Sequence, residues 1–154
     1  MKKQTNKNVV EISTIKNNET AKLGIGAVSN SSGVIRTERG WAGHFICANR
    51  CRFRRNTLLA YNDIKIVISS VGLMEIDGKF NEIGAGRYFE TMAFHADKND
   101  ERYFDADVSK RVHFDSNWAI AKVDADDKAN EMHEAVVAEI TKKLEQGYKF
   151  EITE

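Results

Sequence analysis

"TLLAYNDIKIVISSVG", Thr57 to Gly72, sets two apolar-rich arms on either side of Asn62-Asp63. A two-residue polar link between β-branched and aromatic runs is the signature of a β-hairpin. The device recurs just downstream, where Asp77-Gly78 divides "LMEIDGKFNEI" and gives the stronger turn signal of the two. "GRYFETMAFHA" and "RYFDADVSKRVHF" are further aromatic-rich arms, joined through "DKND". Upstream, "KLGIGAVS" alternates Leu23, Ile25 and Ala27 with Gly24 and Gly26 before "NSSG" turns the chain. "VIRTERGWAGHFICANRCRF" is strand-like around Trp41 to Cys47. Residues 1–20 are polar apart from "VVEI" and predict a leader with one edge strand.

The pattern changes near Asp124. "DADDKANEMHEAVVAEITKKLEQG" places Ala129, Met132, Val136, Val137, Ile140 and Leu144 three and four residues apart, one apolar stripe of a helix over about 126–146. Asp126 or Asp127 can cap its start, Lys142 and Lys143 suit its negative end, and Gly147 can stop it. The stripe either covers the sheet or pairs with a second copy. His133, beside Glu134 near the stripe's edge, is expected to be partly exposed. The sequence thus predicts one α+β domain over 21–154, an antiparallel sheet of five to seven strands followed by a C-terminal amphipathic helix.

The chain has 154 residues, the size of a single domain with a real core. Lys+Arg and Asp+Glu both number 23, so no global field draws the molecule onto DNA or an anionic membrane. Anion binding has to be local. No stretch approaches the roughly 20 apolar residues of a membrane span, and "MKKQTNKNVVEIS" lacks the apolar centre of a secretory signal, so a cytoplasmic location is expected. Cys47 and Cys51 are expected as reduced, semi-buried thiols. Four positions apart on a strand, they would lie about 13 Å from each other, beyond disulfide reach. Proline is absent, so the turns fall to Gly, Asn and Asp.

Against this neutral background, "RCRFRR" packs Arg50, Arg52, Arg54 and Arg55 into six residues. On a strand, Arg50, Arg52 and Arg54 share one face at about 6–7 Å spacing, with Cys51 and Phe53 turned to a core. Three like charges in a row repel one another unless something neutralises them. Carboxylates of the protein itself can do so, and Glu75, Asp77, Glu82 and Glu90 are available. A small phosphorylated ligand can do so equally, because planar guanidinium forks grip phosphate oxygens bidentately. Nucleic acid ranks lower, since no broad basic stripe accompanies the cluster. Asn56 adds an amide beside Arg55, and Trp41, between Gly40, Ala42 and Gly43, can either anchor a core or offer an open face to a base. Gly84 and Gly86 ahead of Arg87 can form a turn whose amides meet a phosphate. The expected ligand-binding set is therefore Trp41, Arg50, Arg52, Arg54, Arg55, Asn56 and Arg87.

No assembled catalytic pattern stands out. His95-Ala96-Asp97 and His113-Phe114-Asp115 would each put both side chains on one strand face, an acid/base or metal pair in outline only. Cys51, among arginines that would lower its pKa, lacks an identifiable base. No catalytic residue, metal or cofactor is assigned.

The block "GWAGHFICANRCRFRRNTLL…IVISSVG", with "RYFETMAF", "DAD" and "ANEMHEAVVAEI" downstream, resembles the phage anti-Thoeris sponge family in length, β-rich body and C-terminal helical part. The resemblance implies a phage protein working in an infected or lysogenic bacterial cell. It would bind and sequester a cyclic ADP-ribose isomer made by a bacterial TIR enzyme, without cleaving it. It also implies a homo-oligomer, a dimer or higher, built through the helical region. The alternative is a protein-binding inhibitor of a host defence complex, of anti-CRISPR or antirestriction type, in which the arginines dock an acidic surface. An enzyme acting on a nucleotide comes third.

Overall fold

A computed structural model describes residues 27–29, 33–40, 43–101 and 104–151. The expected leader, the Leu23–Gly26 alternation and Trp41 lie outside them. Strands β1 (Ala27–Ser29), β2 (Ile35–Arg39), β3 (Cys51–Tyr61), β4 (Ile64–Ile76), β5 (Lys79–Asn81), β6 (Phe89–Ala96), β7 (Ala106–Val112) and β8 (Ala119–Ile120) precede one helix, α1 (Asp126–Glu145). They form a single antiparallel sheet ordered β1-β2-β3-β4-β6-β7, with the short β5 beside β4 and the short β8 beside β6. This is the α+β architecture the sequence implies. The Asn62-Asp63 link closes the β3–β4 hairpin, Asn62 taking φ 50°. Asp77 and Gly78 both adopt left-handed φ, 51° and 72°, as a two-residue type I′ turn requires.

Alternation along the paired strands assigns two faces. Phe53, Arg55, Thr57 and Leu59 of β3 stand with Ile66, Ile68 and Ser70 of β4 and with Phe89, Thr91, Ala93 and His95 of β6. This face receives α1. Val136, Val137, Ile140 and Leu144 pack on Leu59, Ile66, Ile68, Ala93 and Val112, while Ala129 and Met132 join Phe53 and Phe89. Each of the Val, Ile, Leu, Met and Phe side chains among them stabilises by roughly 1.5–3 kcal/mol when fully buried. The stripe therefore covers the sheet, and none of its six residues is left for a second copy. His133 is also wholly buried at this interface, against the partial exposure expected of it. Asp126 and Asp127 lie in the first turn near the positive end of the helix, but Ala125 holds the cap position and no side chain caps it. Gly147, at φ 70°, ends the helix as expected, its N–H donating to the Leu144 carbonyl.

The opposite face carries Arg54, Asn56 and Leu58, Val67, Ser69 and Val71, and Glu90, Met92 and Phe94. Part of it lies under a strap, Gly43–Arg50. A strand was expected around Trp41 to Cys47, but pairing ends at Arg39, and the strap runs through turns into a 3-10 turn at Ala48–Arg50. Gly43 explains the close approach: a Cβ there would collide with the Asp105 carboxylate and the Ala106 side chain. Phe45 and Ala48 of the strap pack on Cys51, Val71 and Ile83. No helix among the described residues is long and apolar enough to cross a membrane.

The faces exchange at Gly72-Leu73. Leu73 has φ 55°, rare for a branched side chain. Its side chain joins Phe53 and Phe89 on the helix side, while Met74 joins Cys51 and Val71 on the strap side. Gly72 lies directly under the fully buried Phe89 ring, which a Cβ at that position would overlap. Gly72→Ala should therefore cost at least ~2 kcal/mol, as overpacking in a filled core does. Equilibrium urea unfolding with an unchanged slope checks it; a midpoint within error of the parent would refute this account of the switch.

Candidate functional site

Ser69 and Ser70 are consecutive in β4, so they point to opposite faces, and each engages a histidine from the layer covering its face. On the helix side the acceptors fix the protons. Glu38 can only accept, so the Thr57 hydroxyl donates to it at 2.9 and 3.0 Å. Thr57 Oγ1 then receives the His133 Nε2–H at 2.7 Å. Burial, with the nearby Arg55 charge, pushes the His133 pKa down to about 3, so the ring is neutral and Nδ1 is bare. Nδ1 accepts from the Ser70 hydroxyl at 2.6 Å, and Ser70 in turn accepts from Thr91 at 2.6 Å. Every proton in the seam Thr91–Ser70–His133–Thr57–Glu38 has one place to go.

On the strap side, His44 lies 2.7 Å from Ser69 Oγ through Nδ1 and 3.1 Å from Glu90 Oε1 through Nε2. The Gly43 N–H donates to Ser69 Oγ at 3.2 Å, and Arg87 Nε–H donates to Glu90 Oε2 at 3.1 Å. Burial raises the Glu90 pKa, but the His44 hydrogen bond and the Arg87 charge outweigh it and hold the carboxyl below its ordinary value. The geometry resembles a serine–histidine–carboxylate relay. Ser69, however, is fully buried, and its oxygen is already engaged by Gly43 and His44. A nucleophile must meet its substrate, so this arrangement pins the strap to the sheet instead.

The arginines follow from these carboxylates. Arg55 turns to the helix side, donating to Glu134 at 2.7 Å and lying 3.4 Å from Glu38. Arg36 grips both of the same acids. The Arg36 hydrogen bond, aided by Arg55, holds Glu134 down to about 2. Arg52 Nε–H donates to Glu75 at 2.6 Å, and its guanidinium lies 5.2 Å from the Phe80 ring centre. Arg87 lies 5.0 Å from the Trp118 ring centre as well as on Glu90. The Gly86 amide, expected to meet a phosphate, donates to Glu82. Arg50 ends the 3-10 turn and is not on the strand, and Asn56 is buried beneath the strap, accepting from Arg39 Nε at 2.9 Å. Arg50 and Arg54 are exposed and make no ion pair among the described residues. The row is thus not a continuous open surface. Of the four carboxylates available from the sequence, Glu75 alone pairs with a member of the row among the described residues, Arg52, whereas Glu90 pairs with Arg87 and His44; Glu38 and Glu134, the acids that hold Arg55, were missed.

The expectation that the neighbouring arginines lower the Cys51 pKa is corrected. Burial pushes the Cys51 thiol up to about 11, outweighing Arg54, so it is not an activated nucleophile; Cys47 and Cys51 are both free thiols, the first half-buried. His113 and Asp115 are 3.7 Å apart but both largely exposed. No group of three or more His, Cys, Asp or Glu among the described residues could hold a metal ion.

The cavity of interest lies elsewhere, at the end of the sheet where the β3–β4 turn meets the β6–β7 loop. It measures about 450 Å³ and is lined by Asp63, Lys65, His95, Asp97, Lys98, Glu101, Phe104 and Lys110, together with Ile64 and Ala96. That is within the range of small-molecule sites, about 300–1,000 Å³. Phe104 is held at φ 49° by its N–H to the Asp100 carbonyl and by Arg39 Nη1 donating to its own carbonyl at 2.8 Å. Such a conformation is strained for an aromatic residue and gathers at functional walls. Comparison with family models, curated proteins and solved structures finds no match for the chain.

The buried His133 makes stability depend on pH. Its folded pKa lies below the unfolded value, so the unfolded chain binds more protons between about pH 3 and 6.5. Stability is therefore full above pH 6.5 and falls on acidification, by up to ~1.4 kcal/mol per pH unit. The lowered carboxylates Glu38 and Glu134 act in the same direction only below about pH 4.5, which leaves pH 4.5–6.5 to His133 and His95, whose pKa values burial lowers. His133→Gln, whose amide can replace one donor and one acceptor, should flatten the slope in that window. Unfolding curves at half-unit pH steps measure it, and an unaltered slope would rule out His133 as the source.

Proposed function

We propose that the chain binds a phosphorylated nucleotide signal of cyclic ADP-ribose type and sequesters it uncleaved, a phage anti-defence function against bacterial TIR immunity. The observation that carries the reading is the 450 Å³ cavity in which Lys65, Lys98 and Lys110 converge with Phe104 and with Asp63, Asp97 and Glu101. A diphosphate requires cations, and ammonium groups serve as point charges for it. Ribose hydroxyls require acceptors, which carboxylates supply. A purine gains from an aromatic wall. The guanidinium row contributes less than its sequence suggests, because a phosphate at Arg52, Arg55 or Arg87 would first have to displace Glu75, Glu38 and Glu134, or Glu90. If the protein self-associates, it does so on surfaces other than the helix stripe, which is buried on the sheet.

A second reading rests on a different surface. Ile46 is 96% exposed on the strap that also carries the exposed Arg50, a composition suited to docking an acidic host protein.

The test is direct. Purified protein is mixed with the product of an activated bacterial TIR enzyme, desalted, heat-denatured and analysed by mass spectrometry. Sequestration predicts release of the intact molecule, with at least tenfold less from Lys65→Ala/Lys98→Ala, the loss expected for contacts of ~1.5–3 kcal/mol. A cleaved product would mean an enzyme. Empty protein that co-purifies with a host partner sensitive to Ile46→Asp would favour the docking reading.

A further inference from the structure

His95 sits in the cavity wall with an incomplete hydrogen-bond set. Its Nε2 is buried and has no partner, whereas a hydrogen bond to the Phe150 backbone engages the ring. That bond favours the charged ring, so it runs from a ring N–H to the carbonyl, and it must use Nδ1 because Nε2 has no partner. In the neutral tautomer Nε2 is then a buried lone pair with no donor facing it. The charges around it come from every neighbouring element: Lys110 and Asp107 on β7, Lys98, Asp97 and Glu101 on the β6–β7 loop, and Lys65 and Asp63 at the β3–β4 hairpin. Lys110 is paired with Asp107 at 2.7 Å. Burial first, then Lys110 and Lys98, lower the His95 pKa and so favour the neutral ring.

We propose that an anion entering this cavity is bound together with a proton taken up at His95 Nε2, so that the site holds phosphate more tightly as the pH falls. The inference rests on reading the cavity as a phosphate site. A phosphate oxygen would cancel the two ammonium charges that disfavour protonation, and it would accept from the new Nε2–H, satisfying the buried side-chain polar atom of the wall that has no partner among the described residues. His95 then selects for anions over neutral nucleosides of the same shape. Without the ligand charge, protonation would place a third cation beside Lys98 and Lys110.

The experiment uses ADP-ribose as the probe, because its two phosphates are both esterified and do not titrate near neutral pH. Titration calorimetry at pH 7.5 and 5.5, in buffers of different ionisation heat, reads affinity and proton uptake together. Circular dichroism at both values checks that the chain stays folded. The parent should bind with net uptake and about tenfold more tightly at pH 5.5. His95→Gln should bind without uptake and with equal affinity at the two pH values. Should that variant fail to fold, NMR titration of the His95 ring in the parent, with and without ADP-ribose, reads the same shift directly. Binding with no proton uptake overturns the inference and leaves the cavity reading standing. Absence of binding at both pH values overturns the two together.

Discussion

Two adjacent hydroxyls in the middle strand hold both covering layers to the sheet. Because strand side chains alternate, Ser69 and Ser70 face opposite ways, and each stands against the Nδ1 of a histidine from the layer above it. The second ring nitrogen of each histidine leads to a carboxylate, directly to Glu90 for His44 and through Thr57 to Glu38 for His133. Arginines then hold these acids, Arg87 on one side, Arg36 and Arg55 on the other. A polar group taken out of water without a partner costs about 1–3 kcal/mol, so a seam this long is tolerable only when every member is satisfied. Here the seam through His133 is satisfied from end to end. It also specifies register: a helix displaced by one turn would keep apolar packing but strand the imidazole.

The same logic explains one member of the dense arginine cluster, Arg55. Guanidinium groups present several donors in a rigid fork and can serve two acids at once, as Arg36 and Arg55 do with Glu38 and Glu134. A buried relay backed by arginine looks like catalytic machinery until accessibility is considered. The strap brings His44 in and closes Ser69 off in the same movement, so the nucleophile and its base exist together only where no substrate can reach them.

Much of the fold was legible because it depends on local rules. Asn62-Asp63 and Asp77-Gly78 announced their hairpins, and the 3.6-residue stripe from Ala129 to Leu144 announced the helix and its buried face. What failed was whatever depended on partners distant in sequence. His133 reads as an edge position on a helical wheel, and only the register of β3 against β4 puts Thr57 and Ser70 beneath it. The Arg55 partners Glu38 and Glu134 lie 17 and 79 residues away. Trp41 to Cys47 has strand-like composition, yet Gly43 is valued there for having no side chain, which lets the strap come close to Asp105 and Ala106.

The cavity shows the same limit from the functional side. Lys65, Lys98 and Lys110 come from β4, the β6–β7 loop and β7, and no window of sequence contains all three. A clustered run of charge is what sequence reading detects most readily, but close spacing along a strand invites intramolecular carboxylates on the neighbouring strands to neutralise it. Ammonium groups spread across three elements are brought together by topology alone. In this chain Arg36, Arg52, Arg55 and Arg87 are committed to carboxylates while Arg50 and Arg54 are not, and the lysines line a recess at the sheet's end. Rigidity at the first set supports the grouping at the second: Lys98 and Lys110 keep their places near His95 when β4, β6 and β7 are held in register. The two cation populations are thus one physical system, the first setting the geometry within which the second can act.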